Sequence, residues 1–515
     1  MGFMPIDYIV VIIYLAGVIA FGLILSGKQR SVSDYFLGGR RIPWWAVMFS
    51  VVATETSTLT FISIPAVAYG GSLTFLQITF GYIAGRTVAA LVFLPKYYQG
   101  DLVTAYQFLG KRFGAGMRNL TSTTFMLTRL LADGVRLFAS AIPIAIILRL
   151  AGIRLSDLQI YLIAIAMISV VTLLYTFLGG IRAVVWMDVV QMCVYIGGAL
   201  LAVGIILSRV SGGLSGSMAE AFSLGKLKLI DFGFSLSFKD FISQPYIFLT
   251  AVLGGGVFSL ASHGTDQLIV QRLLATKSLR SSQKALIGSG LAVLLQFALF
   301  LFIGLLLFVF YNGASPSALG LATVDEIFAK FIVEEIPAGV SGLIIAAILA
   351  AAMSTLSSSL NSLASATTMD LYKPYWGKNS TPDKDLRISR IITLIWGVIL
   401  TGSAFLFVIL QLKTGEGRPA VVELGLGIAS YTYGGLLGAF TLGMLFKKIE
   451  RLDAAIGFYS GLIALLFMVK GPVQNILPGE GLNLAWPWYT AVGAAVVVIA
   501  GNLSYLIRHI ISSQE

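Results

Sequence analysis

Charged side chains are scarce in this 515-residue chain, at 11% against 57% hydrophobic. A water-soluble domain carries about 25% charged residues, so a soluble globular fold could not cover its surface with this composition. Cysteine is nearly absent. Cys193 stands alone, which excludes an intrachain disulfide and a thiolate metal cluster. Histidine is limited to His263 and His509, and no metal-ligand spacing appears. There is no Walker loop, no GxGxxG fingerprint and no nucleophile motif, so an ATP-driven pump or an enzyme is not expected. Long polar stretches are missing too. The longest, Ser208–Gln244, is rich in glycine and serine with amphipathic pieces, and reads as an external loop with short helices.

What the chain does have is apolar runs. Ile9–Leu25, Ile160–Leu178, Leu291–Phe310 and Thr490–Asn502 carry no charge. Crossing a bilayer takes about 20 mostly apolar residues, and in hydrocarbon the backbone must satisfy itself, so each run is expected to be a helix. Thirteen spans are expected, near residues 5–26, 46–69, 73–95, 119–148, 157–178, 183–208, 245–274, 284–311, 338–369, 386–411, 422–446, 453–470 and 487–508. The first has no basic stretch before it and is read as a retained helix rather than a cleaved signal.

The net charge of +11 is explained by where the charges fall, not by a nucleic-acid partner. With the N-terminus outside, the segments on the cytoplasmic side hold 22 Lys and Arg and the outer ones 10, with Arg86, Arg129 and Arg136 inside spans. Arg272 is counted here with the cytoplasmic group. That bias follows the positive-inside rule and puts the C-terminus inside. The expected location is the plasma membrane, a bacterial inner membrane. Nothing in the sequence reads oligomeric state, and a monomer in the lipid bilayer is the default.

Two of the spans are interrupted. Span 46–69 contains Ala53-Thr54-Glu55-Thr56-Ser57-Thr58. Span 245–274 contains Gly254-Gly255-Gly256 and then Ser259, Ser262, His263, Gly264, Thr265 and Asp266. Each opens a set of five spans. Interrupted helices at matching positions of two halves point to a transporter site between repeats. In Ala350–Thr368, Ser354, Ser357, Ser358, Asn361 and Ser365 fall on one helical face. A row of uncharged oxygens suits a hard cation such as Na⁺, although small residues also serve helix packing in membranes. Asp188 lies six residues past Arg182, about 9 Å deeper along a helix. An intramembrane carboxylate marks an ion path or pairs with an arginine.

Several dispersed segments resemble the sodium:solute symporter family. They are Thr176–Gln191 (TFLGGIRAVVWMDVVQ), Gly38-Gly39-Arg40, Asp266-Gln267 through Gln271-Arg272, and Ala352-Met353-Ser354-Thr355-Leu356 with Asn361. The likeness runs from residue 1 to about 446. It implies an all-α polytopic protein with an inverted five-plus-five, LeuT-like core: a leading helix at 5–26, repeats at 46–208 and 245–446, and trailing helices at 453–508, all one transmembrane domain over 1–515. It also implies sodium as coupling ion and no organic cofactor. The family's usual sodium site would fall on the carbonyls of Ala53, Thr56 and Ala351 and the hydroxyls of Ser354 and Thr355. A second sodium site, found in some members, would fall on Asp188, Ser354, Ser357 and Ser358.

For the solute, Arg129, Asp133 and Arg136 share one face of a long span and leave it net positive. Arg136 resembles an arginine that grips a substrate carboxylate in sialic-acid-type members, and the guanidinium fork suits that task. Glu55 sits in the interrupted helix, where it would pair with Arg136, hold a substrate amine, or titrate. Family likeness adds Ser57, Thr60, Phe75, Gln77, Asp266 and Gln267 as cavity candidates, and Tyr431 and Tyr433 as possible gates. For each of these, helix packing or capping is the competing role. The expected function is sodium-coupled symport of a small organic solute, leaning to a carboxylate-bearing anion. The alternatives are proton coupling through Glu55 or Asp188, a transporter-like membrane sensor, and a channel.

Overall fold

The computed structural model describes residues 4–25, 29, 31–56, 58–150, 155–321, 323–413, 421–468 and 482–513. Its main helices are α1 (Pro5–Leu25), α2 (Trp44–Glu55), α3 (Thr58–Gly70), α4 (Ile78–Val88), α5 (Ala115–Leu150), α6 (Asp157–Arg209), α7 (Gly255–Gly264), α8 (Gln267–Leu274), α9 (Leu279–Phe310), α10 (Val340–Ala366), α11 (Pro382–Lys413), α12 (Val421–Leu445), α13 (Arg451–Met468) and α14 (Pro487–Ser512). Among the described residues each of the thirteen expected runs falls mainly on helix. Among the described residues nine helices are long and apolar enough to cross a membrane singly, or ten if the bent pair α2 and α3 counts as one span. The others carry the charges and breaks that bear on function.

α6 is 53 residues long. At 1.5 Å per residue it would extend about 80 Å, more than twice the hydrocarbon thickness of about 30 Å. Gly180 is its joint, with φ 57° and ψ −160°. That conformation is essentially restricted to glycine, and an added Cβ would lie 2.5 Å from the Tyr35 carbonyl. Two expected spans, 157–178 and 183–208, are therefore the two arms of one bent element.

The two interrupted spans break at definite points. α2 stops at Glu55 and Thr56 takes an extended conformation (φ −87°, ψ 95°). Beyond it the chain turns, and the segment Thr60–Gly70 runs at 61° to α2. The second break lies at Thr265 and Asp266, between α7 and α8. The run Gly254-Gly255-Gly256, expected to be part of that interruption, is instead continuously helical. Its glycines serve packing. A Cβ on Gly81 or Gly85 of α4 would strike the backbone around Val252 and Gly256, so the two helices cross backbone against backbone. The first broken span has a matching neighbour: a Cβ on Gly304 of α9 would sit 2.0 Å from the carbonyl of Pro65 in α3.

α10 is the centre of the bundle. Of its most apolar stretch 89% is buried, against 17% for α1 and 22% for α14. The segment 209–244 carries the short helices Gly213–Ser223 and Phe238–Ser243, as its amphipathic pieces suggest.

Candidate ion and solute site

The break after α2 is held against α10 on both sides. Thr54 Oγ1 lies 3.1 Å from Ser358 Oγ, and Thr58 Oγ1 donates to the Ile348 carbonyl at 3.2 Å. Between those two contacts α10 carries Ala351, Ser354 and Thr355. Ile348, Ala351, Thr355 and Ser358 fall at i, i+3, i+7 and i+10, so they share the face turned to the break. Ser354 and Thr355 are buried, 1% and 4% exposed. A helix that ends at Glu55 leaves the carbonyls of its last turn, Ala53 among them, past the end of the amide ladder. Thr56 has its amide 2.8 Å from the Val52 carbonyl, and its hydroxyl donates to that carbonyl and lies 3.0 Å from Gln296 Oε1. Thr355 Oγ1 donates to the Ala351 carbonyl at 3.1 Å.

Asp188, on the second arm of α6, is fully buried. It accepts hydrogen bonds from Ser354 Oγ at 2.6 Å and from Ser50 of α2. Its cationic neighbour is Arg272 of α8, 3.5 Å away and equally buried. Arg272 also donates to Ser50 Oγ at 2.9 Å and to Ser358. Arg272 thus does not belong with the cytoplasmic charges among which its place in the sequence put it. The break in the helix turns it inward to the carboxylate, because neither buried charge is tolerable without the other. Ser357 donates to the Ser354 carbonyl at 3.0 Å and Ser358 to the same atom at 2.6 Å. Asp188, Ser354 and Ser358 are brought together around Arg272, while Ser357 is seen bonded within its own helix.

A cavity of about 70 Å³ lies on the other side of the break. Glu55, Thr60, Phe75, Arg136 and Asp266, all expected from sequence, line it, with Tyr82, Phe258, Phe297 and His263 among the rest of the wall. Glu55 is paired with Arg86 of α4, not with Arg136. Arg86 is fully buried and also donates to Ser289 Oγ at 2.8 Å. Arg129 meets Asp266 at 2.8 Å, Asp133 at 3.4 Å, and the hydroxyl of Tyr433. Asp133 accepts from Ser359 Oγ at 2.5 Å. Arg136 is more loosely held, 3.6 Å from Asp133 with its side chain 14% exposed.

These contacts revise the charge reading. Asp266 is drawn onto Arg129, so the face of α5 is not net positive: Arg86, Arg129 and Arg136 are balanced by Glu55, Asp133 and Asp266. Asp266 also caps α8 through the Leu268 amide at 2.8 Å. Tyr433 lines the cavity, whereas Tyr431 packs on the Tyr489 ring. Gln77 and Gln267 do not line it. Gln77 ties the Asp231 amide (3.1 Å) to the Tyr246 carbonyl (3.0 Å), fastening the segment 209–244. Gln267 joins the Ala105 amide (2.9 Å) to the Val103 carbonyl (3.2 Å). Ser57 lies outside the described residues. Arg86 and Arg272 were not foreseen as site residues. Their signal was present, since an arginine within a span needs a carboxylate partner, but the sequence does not say which one.

The family model for the sodium:solute symporter family matches residues 35–461. The chain belongs to this family. It is 30% identical to the sodium/sialic acid symporter NanT of Aliivibrio fischeri over 98% of this chain and 93% of that protein. It is 29% identical to the sodium/sialic acid symporter SiaT of Proteus mirabilis over 97% and 94%. A solved structure of a Na⁺-coupled sialic acid symporter, described as substrate-bound and outward-open with a novel Na⁺ site, superposes with a TM-score of 0.82 at 28% identity over 98% of both chains. The nucleobase-cation-symport-1 transporter Mhp1, at 15% identity and a TM-score of 0.51, shares the fold. This symporter therefore has the LeuT-like five-plus-five helical fold in a membrane. It couples a small solute to sodium.

Proposed function

We propose that this symporter carries an organic anion across the cytoplasmic membrane, with its carboxylate on Arg136 and with sodium held where α2 breaks against α10. The observation that carries the sodium site is the pair of hydrogen bonds, Thr54 to Ser358 and Thr58 to Ile348. They bracket Ala351, Ser354 and Thr355 against the carbonyl-bearing end of α2. The ligand set is Ala53, Thr56, Ala351, Ser354 and Thr355. A second sodium at Asp188, Ser354, Ser357 and Ser358 has to displace the Arg272 guanidinium. Arg136 suits the anion because it is the cavity arginine least engaged by acids, and the sialic acid symporters to which this chain is similar carry an organic acid.

The proposed division is 46–208 and 245–446 as the two repeats, with 5–26 leading and 453–508 trailing, in a single functional monomer. The N-terminus faces outside and the C-terminus the cytoplasm, on the arginine and lysine bias. Sodium binding orders the broken helix against α10 and raises the population that can hold solute. Solute binding then permits closure and inward opening. The coupling is reciprocal, and each transported charge adds about 2.3 kcal/mol per 100 mV.

The test is thermal unfolding of the purified protein against a panel of organic acids, sugars and amino acids, in Na⁺ and in K⁺. The expected outcome is a stabilisation by acids that requires Na⁺ and is lost in Ser354→Ala, Thr355→Ala and Arg136→Gln. Equal shifts in K⁺ would remove the sodium site. Shifts by sugars alone, unchanged in Arg136→Gln, would remove the anion.

A further inference from the structure

His263 lines the cavity wall, and the proposed cycle gives it no role. It lies on α7, 3% exposed. Its Nδ1 is 3.0 Å from the Ser259 carbonyl and 2.8 Å from Ser262 Oγ. A carbonyl only accepts, so Nδ1 carries a proton and donates. In the neutral ring Nε2 is then a bare acceptor. That atom has no hydrogen-bond partner among the described residues, and it stands 3.7 Å from the Glu55 carboxylate. The Glu55 oxygen it faces already accepts from Arg86, so where the two broken spans meet at the cavity wall Nε2 is the acceptor left without a donor. A buried acceptor left unmatched costs about 1–3 kcal/mol, so the arrangement calls for a donor from the cavity.

The charge balance indicates which donor. Glu55 is already neutralised by Arg86, which is fully buried beside it. An ammonium group placed there would add a cation next to the Arg86 guanidinium. A hydroxyl supplies the donor without the charge. The hydroxyl donates to the open Nε2 of His263, with the Glu55 carboxylate alongside. We propose that Glu55 and His263 form a hydroxyl-recognising subsite, so that the transported solute is a hydroxylated organic acid. The carboxylate part of this statement rests on the Arg136 reading above; the hydroxyl part does not. Phe75, Tyr82, Phe258 and Phe297 supply apolar wall in the same cavity.

The experiment compares matched acids on the full-length protein in Na⁺ by thermal shift and by isothermal titration: propionate with lactate, butyrate with 3-hydroxybutyrate, hexanoate with gluconate, with sialic acid added as a larger polyhydroxylated acid and glucose and myo-inositol as uncharged polyols. The expected result is that hydroxylated acids bind and their deoxy partners bind at least ten-fold more weakly. His263→Phe should erase that difference, about ten-fold for one lost hydrogen bond. His263→Gln, which can offer its amide oxygen, should restore most of it. Each variant is checked for a single gel-filtration peak and a normal sodium response, so that a misfolded His263→Phe is recognised and His263→Gln decides. Equal binding of acids and hydroxy acids overturns the subsite and leaves the anion reading intact. Binding of the uncharged polyols alone, lost in His263→Phe but not in Arg136→Gln, overturns the anion reading and keeps the subsite. A hydroxyl preference that survives His263→Phe, or no binding by any hydroxylated compound, overturns the subsite.

Discussion

One guanidinium nitrogen of Arg272 lies 3.5 Å from the Asp188 carboxylate, and neither side chain reaches the surface. Removing one member of such a pair leaves an uncompensated buried charge and costs roughly 3–5 kcal/mol, whereas replacing both by neutral groups is often close to neutral. Arg272→Gln and Asp188→Asn should each lower the melting temperature of the purified protein, and the double variant should recover most of the loss. Simple additivity in the double variant would show that the two do not act as a pair. The same geometry bears on stoichiometry. The guanidinium also contacts Ser358, so it stands among the ligands of the proposed second sodium. Freed of it, Asp188 should take sodium more readily. Arg272→Gln is therefore expected to steepen the sodium dependence of solute binding, with the Hill coefficient moving from near one towards two. An unchanged sodium titration would argue for a single ion.

Gly180 offers a controlled test of backbone requirement. Its φ of 57° and ψ of −160° exclude a side chain, and a Cβ there would meet the Tyr35 carbonyl at 2.5 Å. Gly197, on the same helix, has open space around its Cβ position. Gly180→Ala should cost at least about 1–3 kcal/mol from strain alone, read as reduced yield and a lower melting temperature. Gly197→Ala should be neutral or mildly stabilising, because alanine is the better helix former. Equal behaviour of the two variants would mean that the joint tolerates a different bend.

The spans were legible because a bilayer imposes one rule on every crossing, and uncharged runs report it directly. The break at Thr56 was legible for a related reason: Thr54 to Thr58 is a polar island in an apolar run. The second break was less so. Gly254 to Gly256 looked like an interruption, yet these residues are helical and allow close packing, Gly254 on Pro487 of α14 and Gly255 on Ile78 of α4. Partner choice was hidden. Arg272 follows a polar break and reads as the start of a cytoplasmic loop until the fold returns it to Asp188. Glu55 had two arginines within reach in principle, and the choice of Arg86 over Arg136 depends on where the fold sets α4 and α5 around the end of α2. Such pairings are set by tertiary geometry, to which sequence spacing is blind once it exceeds a few helical turns.

Asp7 ties the leading helix to the centre of the bundle. Its carboxylate accepts from the Gly339 amide at 2.7 Å, the Gly342 amide at 2.8 Å and Ser341 Oγ at 2.6 Å. These groups form the N-terminus of α10, where an anion also meets the positive end of the helix dipole. Loss of a helix cap costs about 0.5–2 kcal/mol. Asp7→Ala should lower the melting temperature by a few degrees. Asp7→Asn, which keeps an acceptor, should lower it less. Both should leave the half-saturating sodium concentration within about two-fold, since the sodium ligands on α10 begin three turns further along. A large change in sodium affinity would instead make the leading helix part of the coupling machinery.

The ion pair of Glu55 with Arg86 decides what each coupling mechanism demands. For protons to drive transport through Glu55, the carboxylate would have to leave Arg86 in every cycle, stranding a fully buried guanidinium that among the described residues otherwise keeps the Ser289 hydroxyl and the Tyr82 ring. Sodium at the end of α2 requires no such separation. Uptake of the first acid to give a sodium-dependent thermal shift is therefore expected to fall to background in proteoliposomes when K⁺ replaces Na⁺. An imposed proton gradient should not rescue it. Glu55→Gln should weaken solute binding about ten-fold through the lost acceptor strength while the requirement for sodium stays. Arg86→Gln should be the more damaging change, because it strands the carboxylate in the wall of the cavity. Uptake driven by a proton gradient without sodium, and abolished in Glu55→Gln, would reverse the assignment and make Glu55 the coupling group.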